Sequence, residues 1–502
     1  MSHGSADAGL ITPQSTFYDQ GRFGRLFPTL PPFAADTPQV RAALVELGKP
    51  RGIMDAKDNL TDPIALIIDP KRRTRNPDNP AMSAGMTFVG QFLDHDMTFD
   101  PTSSLARTQD PESIRNFRIP ALDLDSVYGG GPGVSPHLYD ASIDSRQTSL
   151  LVEEIPGSAA VTCDGVARFD LPRNAQLTAL LGDPRNDENM VVSQIHLALL
   201  RFHNRVVADV KADLGASLTP SEVFREAQRI TRWHYHWMIL HEFLPLTIGA
   251  ELTAELLTSG RKYYSWRHSP YIPVEFAVGA YRFGHSQIRP SYRANFGTSA
   301  AIPAQQFFAL IFKPGDPDPA DPNDMRGGCR AARRFIDWQT FFDFGDGNVR
   351  RNKRIDTKLS SVLFDLMGFG GGDAASLASR NLLRNLTMKV PSGQRIAKAM
   401  QLPELARGDL ADLDQLELDR RTPLWFYVLR EADVVADGKH LGPVGGRIVG
   451  EVIHGLIEGD SSSYLSQDPD WTPSYGVDDN FTMANLLTAA GVVGSLSARL
   501  TP

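Results

Sequence analysis

Gly90-Gln91-Phe92-Leu93-Asp94-His95-Asp96 sets an amide, two carboxylates and an imidazole inside a segment, Met86 to Phe99, that otherwise reads as an apolar helix. On a helix Gln91, Asp94 and His95 share one face, because positions i, i+3 and i+4 lie together. Asp96 is turned about 100° away from His95. Burial alone would favour Leu or Val here, so each polar group needs a partner that offsets its desolvation. One face therefore calls for a polar partner, and Asp96 calls for a different one. Taken alone, the stretch fits a capped surface helix as well as a catalytic His beside a cation-binding Asp.

The bulk properties narrow the class. The chain has 502 residues, 42% hydrophobic and 22% charged, as in ordinary globular proteins. A net charge of −8 argues against nucleic acid as a partner. No apolar run approaches the roughly 20 residues of a membrane helix. The N-terminus lacks a basic and then apolar leader, so a cytoplasmic protein, or one exported without a signal peptide, is expected. Cys163 and Cys329 are too few for a disulfide framework, and two free thiols are expected, with a single bridge left open.

Helical patterns dominate. Residues 1–40, rich in Gly, Pro and polar side chains, read as an N-terminal arm, and 41–502 as one large, mainly α domain with few short strands. Ile195, Leu199, Phe202 and Val206 form an apolar stripe on a helix from Val191 to Lys211. A second helix is expected from Ser221 to Leu244, with Ser221 as N-cap and no capping box. Ser360–Leu366, Ala374–Met388, Pro423–Glu431 and Arg447–Ile457 also read as helical. Pro111–Pro136 and Lys313–Gly328 read as long loops.

Four further segments carry chemistry. In Gly182-Asp183-Pro184-Arg185-Asn186-Asp187-Glu188, Arg185 and Glu188 can face one pocket, although acids near a helix start are generically favourable. Tyr281-Arg282-Phe283-Gly284-His285 follows an apolar run, so His285 is expected to be buried, as a ligand or as a satisfied core residue. On the helix bearing Asn381-Leu382-Leu383-Arg384, a buried Asn381 could hold an imidazole through its Nδ1–H. Alternating Asp123 and Asp125, joined by Asp96, suit a hard cation, or else an Asx turn.

Together and in this order, these motifs resemble the animal-type haem peroxidases, in particular their bacterial members, from about residue 60 to about 470. His203-Asn204-Arg205 falls in the same order. The resemblance implies a helical domain enclosing haem b. It implies that His95 is the distal histidine, Arg185 the distal arginine and Gln91 the pocket amide, with His285 as proximal iron ligand and Asn381 as its hydrogen-bond partner. It also implies that Asp94 and Glu188 are carboxylates able to form esters to haem methyls, that Arg282 and Arg384 lie near the propionates and proximal side, and that calcium is held by Asp96, Ile119, Ala121, Asp123 and Asp125. Asn189 stands where mammalian halide-oxidising members can carry a sulfonium-forming Met, so at most two haem bonds are expected. Ile119 replaces a usual Thr and Asp125 a common Ser, which leaves a backbone carbonyl at one position and adds charge at the other.

The implied activity is reduction of hydrogen peroxide with oxidation of halides, thiocyanate or phenols. A fatty-acid dioxygenase of the cyclooxygenase-related branch is the alternative. Those enzymes use a Tyr three residues before the proximal His, where this chain has Arg282, with Tyr281 one residue earlier. A haem-binding protein without activity is a third reading, disfavoured by the joint presence of His95, Arg185 and His285.

Overall fold

The computed structural model describes residues 23–100, 109–110, 114–162, 164–214, 217–266, 269–296, 307–308, 321, 324–328, 330–366 and 375–494. Seven helices frame the site: α1 (Pro38–Gly48), α2 (Ala84–Met97), α3 (Met190–Leu214), α4 (Pro220–Met238), α5 (Leu377–Thr387), α6 (Leu424–Ala436) and α7 (Pro443–Glu458). The apolar stripe Ile195, Leu199, Phe202 and Val206 is buried on α3, which packs on α2 and α4. A second layer joins α5, α6 and α7, and α1 crosses α5. That crossing needs glycine: a Cβ on Gly48 would meet the Ser379 backbone nitrogen at 2.5 Å.

Strands are short and, among the described residues, pair only in twos. Phe23–Gly24 runs parallel to Ile272–Pro273, and Asp78–Ser83 runs antiparallel to Arg351–Lys353. Glu153–Glu154 and Tyr292–Arg293 make the other two ladders, with Phe169–Asp170 and Phe307–Phe308. The stretch before α1 is strapped down: the buried Glu275 carboxylate accepts from the Leu26 and Phe27 N–H groups at 3.0 and 3.2 Å. Residues 1–22 of the expected arm, both cysteines (163 and 329) and most of the expected loop 313–328 lie outside the described residues. No described helix is long and apolar enough to cross a membrane.

Several element ends differ from the sequence reading. Thr219, not Ser221, caps α4, and a capping box is present: its hydroxyl accepts from Glu222 N–H, and the Glu222 carboxylate accepts from Thr219 N–H at 2.8 Å. The expected run to Leu244 is interrupted. Ile239–Phe243 opens into a π turn before Leu244–Ile248 resumes, because Pro245 has no N–H for the carbonyl four residues back. Ser361–Phe364 is a single 3₁₀ turn. The segment read as a loop at Pro111–Pro136 contains a helical turn at Asp125–Tyr128.

The His203-Asn204 pair joins α3 to this neighbourhood. Asn204 brackets Leu150, accepting from its N–H at 2.7 Å and donating to its carbonyl at 2.8 Å. His203 lies 3.0 Å from the Thr148 carbonyl through Nε2 and 3.1 Å from the Tyr128 hydroxyl through Nδ1. Burial lowers its pKa to about 4, so the ring is neutral in the fold. A group whose folded pKa lies below its unfolded value stabilises fully above the unfolded value, near 6.5 for His, and loses that contribution as pH falls toward 4. We expect the stability difference between wild type and His203→Gln to shrink from pH 7 to pH 4.5 in urea unfolding. A pH-independent difference would mean that His203 does not titrate on unfolding.

Candidate active site

Three of the sequence motifs converge on one cavity of about 330 Å³. Gln91, Asp94 and His95 line it from α2, as their shared face requires. Arg185 and Glu188 line it from a short turn, Pro184–Asp187, and Tyr281, Arg282 and His285 from the 3₁₀ segment Ala280–Gln287. Met86, Phe88, Ile288 and Leu363 supply apolar wall. A smaller cavity of about 160 Å³ shares Asp94, Arg185 and Arg282 with the first and adds Arg384 from α5. Arg384 therefore belongs to the adjoining space. Its pKa is lowered by burial and by the nearby Arg282 charge.

His95 is buried with Nε2 3.5 Å from Glu188 Oε1. Burial, reinforced by the Arg185 charge, lowers its pKa to about 4, so its imidazole is neutral near pH 7. Glu188 is exposed to the cavity but walled by protein, and desolvation raises its pKa to about 7. Gln91 ties into this group: its Nε2 donates to Glu188 Oε1 at 2.5 Å, and its oxygen accepts from Asn189 Nδ2 at 3.2 Å. Asn189 therefore serves to hold the pocket amide. Asp94 accepts from the Thr98 hydroxyl at 3.1 Å.

Arg185 is fixed from behind. Its Nη2 donates to the carbonyls of His95 and Thr98, at 3.0 and 2.5 Å, and to Asp183 at 2.7 Å. Among the described residues its Nη1 has no protein partner, which leaves that edge available to the cavity. Asp183 caps the turn and is fully buried. It also receives Nε of the buried Arg118 at 3.0 Å. Burial alone would raise the Asp183 pKa, but the hydrogen bonds and charges of Arg185 and Arg118 outweigh it and hold the group at about 2.

His285, in the same cavity, is flanked by Asn381, whose amide nitrogen lies 2.7 Å from Nδ1. Burial, then the Arg282 charge, lowers the His285 pKa to about 3. The sequence reading has an amide oxygen at this place, accepting from Nδ1–H; the contact is present with the amide turned over. Tyr281 donates to the Gly90 carbonyl at 3.0 Å and stacks on Phe276.

Asp96 points away from the cavity, as its helical position demands. Its carboxylate accepts from Tyr235 OH and Leu124 N–H, both at 3.2 Å. Carboxylate oxygens of Asp96, Asp123 and Asp125 lie within 4.8 Å of one another, all buried. Asp96 Oδ1 and Asp125 Oδ2 have no hydrogen-bond partner among the described residues. Leu122 and Leu124 both hold positive φ, 51° and 60°, a strained backbone that turns this loop around the carboxylates. Ile119 and Ala121 precede them, and the Ile119 carbonyl accepts from Ala121 N–H. Arg118 also pairs with Asp125 at 2.9 Å, so one buried cation bridges this cluster to Asp183. Sequence reasoning missed Arg118, Asp183 and Asn186; only Asp183, directly before Pro184, carried a cap signal.

Residues 120–322 match the family described as animal haem peroxidase. Rat thyroid peroxidase is 23% identical over 381 residues, which cover 70% of this chain and 38% of the relative. The chain thus spans well under half the length of the thyroid peroxidases it matches. Among solved structures, peroxidase A from Dictyostelium discoideum superposes with a TM-score of 0.55 at 16% identity, covering 97% of this chain and 98% of that one. A fatty acid alpha-dioxygenase of Oryza sativa gives 0.53 at 14%, covering 88% and 78%. These likenesses establish the fold.

Removing the shared carboxylate leaves Arg118 short of one of its two acids and leaves Arg185 held by the His95 and Thr98 carbonyls. Asp183→Ala should destabilise by about 3–5 kcal/mol in urea unfolding, the usual range when one partner of a buried ion pair is lost. A loss below about 1 kcal/mol would show that the fold does not lean on this carboxylate.

Proposed function

Because the chain belongs to the animal haem peroxidase family, we propose that it binds haem b in the cavity lined by His95 and His285. In this reading it reduces hydrogen peroxide while oxidising small donors: halides, thiocyanate or phenols. The observation that carries it is the convergence of His95, Arg185 and His285 on one largely apolar cavity. The residues suit the group. His285 faces the cavity with an amide at its far nitrogen, and with the Asn381 oxygen turned to Nδ1–H, Nε2 is free to ligate iron. Arg282 and Arg384 are cations fit for the propionates.

Haem, when bound, supplies the redox chemistry of peroxide reduction. His95 accepts a proton from hydrogen peroxide at Nε2 and returns it to the departing oxygen, a general base that becomes a general acid. Its low pKa keeps the imidazole ready to accept that proton at neutral pH. Arg185 offers its open guanidinium edge to negative charge that develops as the O–O bond breaks, and its fixed position means no reorganisation at that moment. Gln91, held by Asn189, keeps its amide nitrogen on the Glu188 carboxylate beside His95. Asp94 and Glu188 both line the cavity and would be the carboxylates for ester bonds to haem methyls, with hydrogen peroxide as the oxidant that replaces a methyl C–H bond by C–O.

The Asp96, Asp123 and Asp125 cluster fits calcium. It is a hard, all-oxygen donor set with two buried carboxylate oxygens otherwise unpartnered, and three adjacent negative charges call for a cation beyond Arg118. The ion would stiffen the helix end that bears His95. A fatty-acid dioxygenase is the second reading, supported by Tyr281 in the cavity wall. Against it, the side chain three residues before His285 is Arg282. Oxygen uptake with an unsaturated fatty acid separates the two.

The absorption spectrum of the haem-loaded protein tests the main reading. Its Soret band should move quickly with a small excess of peroxide and return when iodide or a phenol is added; an unmoved band would overturn the proposal. His95→Gln should retain haem and slow the response by about 10²–10⁴-fold. His285→Ala should fail to hold stoichiometric haem. After peroxide treatment, haem should resist acidic organic solvent in wild type but not in the double variant Asp94→Val, Glu188→Gln. For the cation, chelation should lower the melting temperature by several degrees and calcium should restore it, with both responses absent in Asp123→Asn. A melting temperature indifferent to calcium in wild type would remove the site.

A further inference from the structure

The wall behind His95 holds a buried hydrogen-bonded chain. His95 Nδ1 lies 2.8 Å from Oδ1 of Asn186, and Nδ2 of the same amide lies 3.1 Å from Nδ1 of His196. His95, Asn186 and His196 are 4%, 0% and 1% exposed, so solvent does not compete for these contacts. An amide oxygen only accepts, so a bond to it requires the His95 proton on Nδ1. The lone pair then sits on Nε2, the nitrogen on the Glu188 side. The amide nitrogen only donates, so His196 answers with a bare Nδ1. Turning the amide over would reverse both rings.

The neighbours of His95 favour opposite tautomers. An ionised Glu188, at 3.5 Å from Nε2, would draw the proton to the cavity side. Asn186, at 2.8 Å, draws it to Nδ1. The first distance is beyond a good N–H···O bond and the second is within it, and Glu188 Oε1 is already engaged by Gln91. The contact with Asn186 therefore wins.

We propose that Asn186 is the positioning residue that keeps the His95 proton on Nδ1 and its lone pair on Nε2, with His196 holding the amide in the orientation this needs. The inference rests on the reading of His95 as the base that accepts a proton from peroxide. It also gives the Pro184–Asp187 turn a wider role. Within four residues the chain supplies a fixed cation at Arg185, a tautomer-setting amide at Asn186 and a cavity carboxylate at Glu188, all hung from the cap Asp183.

The test reads the tautomer directly. Two-bond ¹⁵N–¹H correlation on histidine-labelled full-length protein, haem-free and as the diamagnetic ferrous carbon monoxide complex, is assigned with His95→Gln. Wild type should carry the His95 proton on Nδ1. Asn186→Leu, of similar volume, should move it to Nε2 and slow the peroxide step about 10- to 100-fold at unchanged haem content. Asn186→Asp, which keeps an acceptor oxygen, should leave the proton on Nδ1. A wild-type Nε2–H, or an Nδ1–H that survives Asn186→Leu, overturns the proposal. The two readings fail separately. A protein with the Nδ1 proton that does not react with peroxide supports Asn186's role and sinks the peroxidase reading. A reactive protein with Nε2–H sinks the role of Asn186 alone.

Discussion

One buried carboxylate ties the cavity together. Asp183 accepts from Arg118 on one side and Arg185 on the other, and Arg185 in turn donates to the carbonyls of His95 and Thr98 at the end of α2. These carbonyls have no intrahelical partner at a helix C-terminus, so a guanidinium satisfies them and the helix dipole together. Three segments distant in sequence meet through this acid: the end of α2, the loop from Arg118 to Tyr128 and the turn before α3. The same acid caps that turn through Arg185 N–H at 2.9 Å.

Around this anchor, charge is placed by neighbours and not by local preference. The carboxylates of Asp96, Asp123 and Asp125 are buried together, where desolvation and mutual repulsion raise the pKa of Asp96 and Asp125. Among the described residues one cation, Arg118, pairs with Asp125, and it is shared with Asp183. By contrast, the two imidazoles that line the cavity, His95 and His285, are kept neutral because burial and a nearby arginine both oppose a second positive charge. A neutral ring offers a lone pair, which is what either a ligand or a base needs. The cavity thus separates acid-rich structure behind α2 from lone-pair donors facing inward.

Much of the fold was legible in the sequence because it follows from period. The stripe Ile195, Leu199, Phe202 and Val206 is buried on α3, and the face of Gln91, Asp94 and His95 lines one cavity while Asp96 turns away to Asp123 and Asp125. The errors were at ends and irregularities. Thr219 and Ser221 are both competent caps by residue type and the fold uses Thr219, while the π turn at Ile239–Phe243 answers to Pro245 in a stretch whose apolar pattern looks continuous. The helical turn at Asp125–Tyr128 was hidden in a segment whose Gly and Pro content reads as loop.

Helical spacing alone tells from the sequence that Gln91, Asp94 and His95 share a face and that Asp96 turns off it. It does so because periodicity is a local property of the backbone. Tertiary structure alone decided their partners: Asn186 on His95, Arg118 across Asp125 and Asp183, and Asn189 behind Gln91. Those contacts join residues up to about a hundred positions apart. A hydrogen bond depends on a few tenths of an ångström and on which atom of an amide faces the ring, and neither is encoded in spacing.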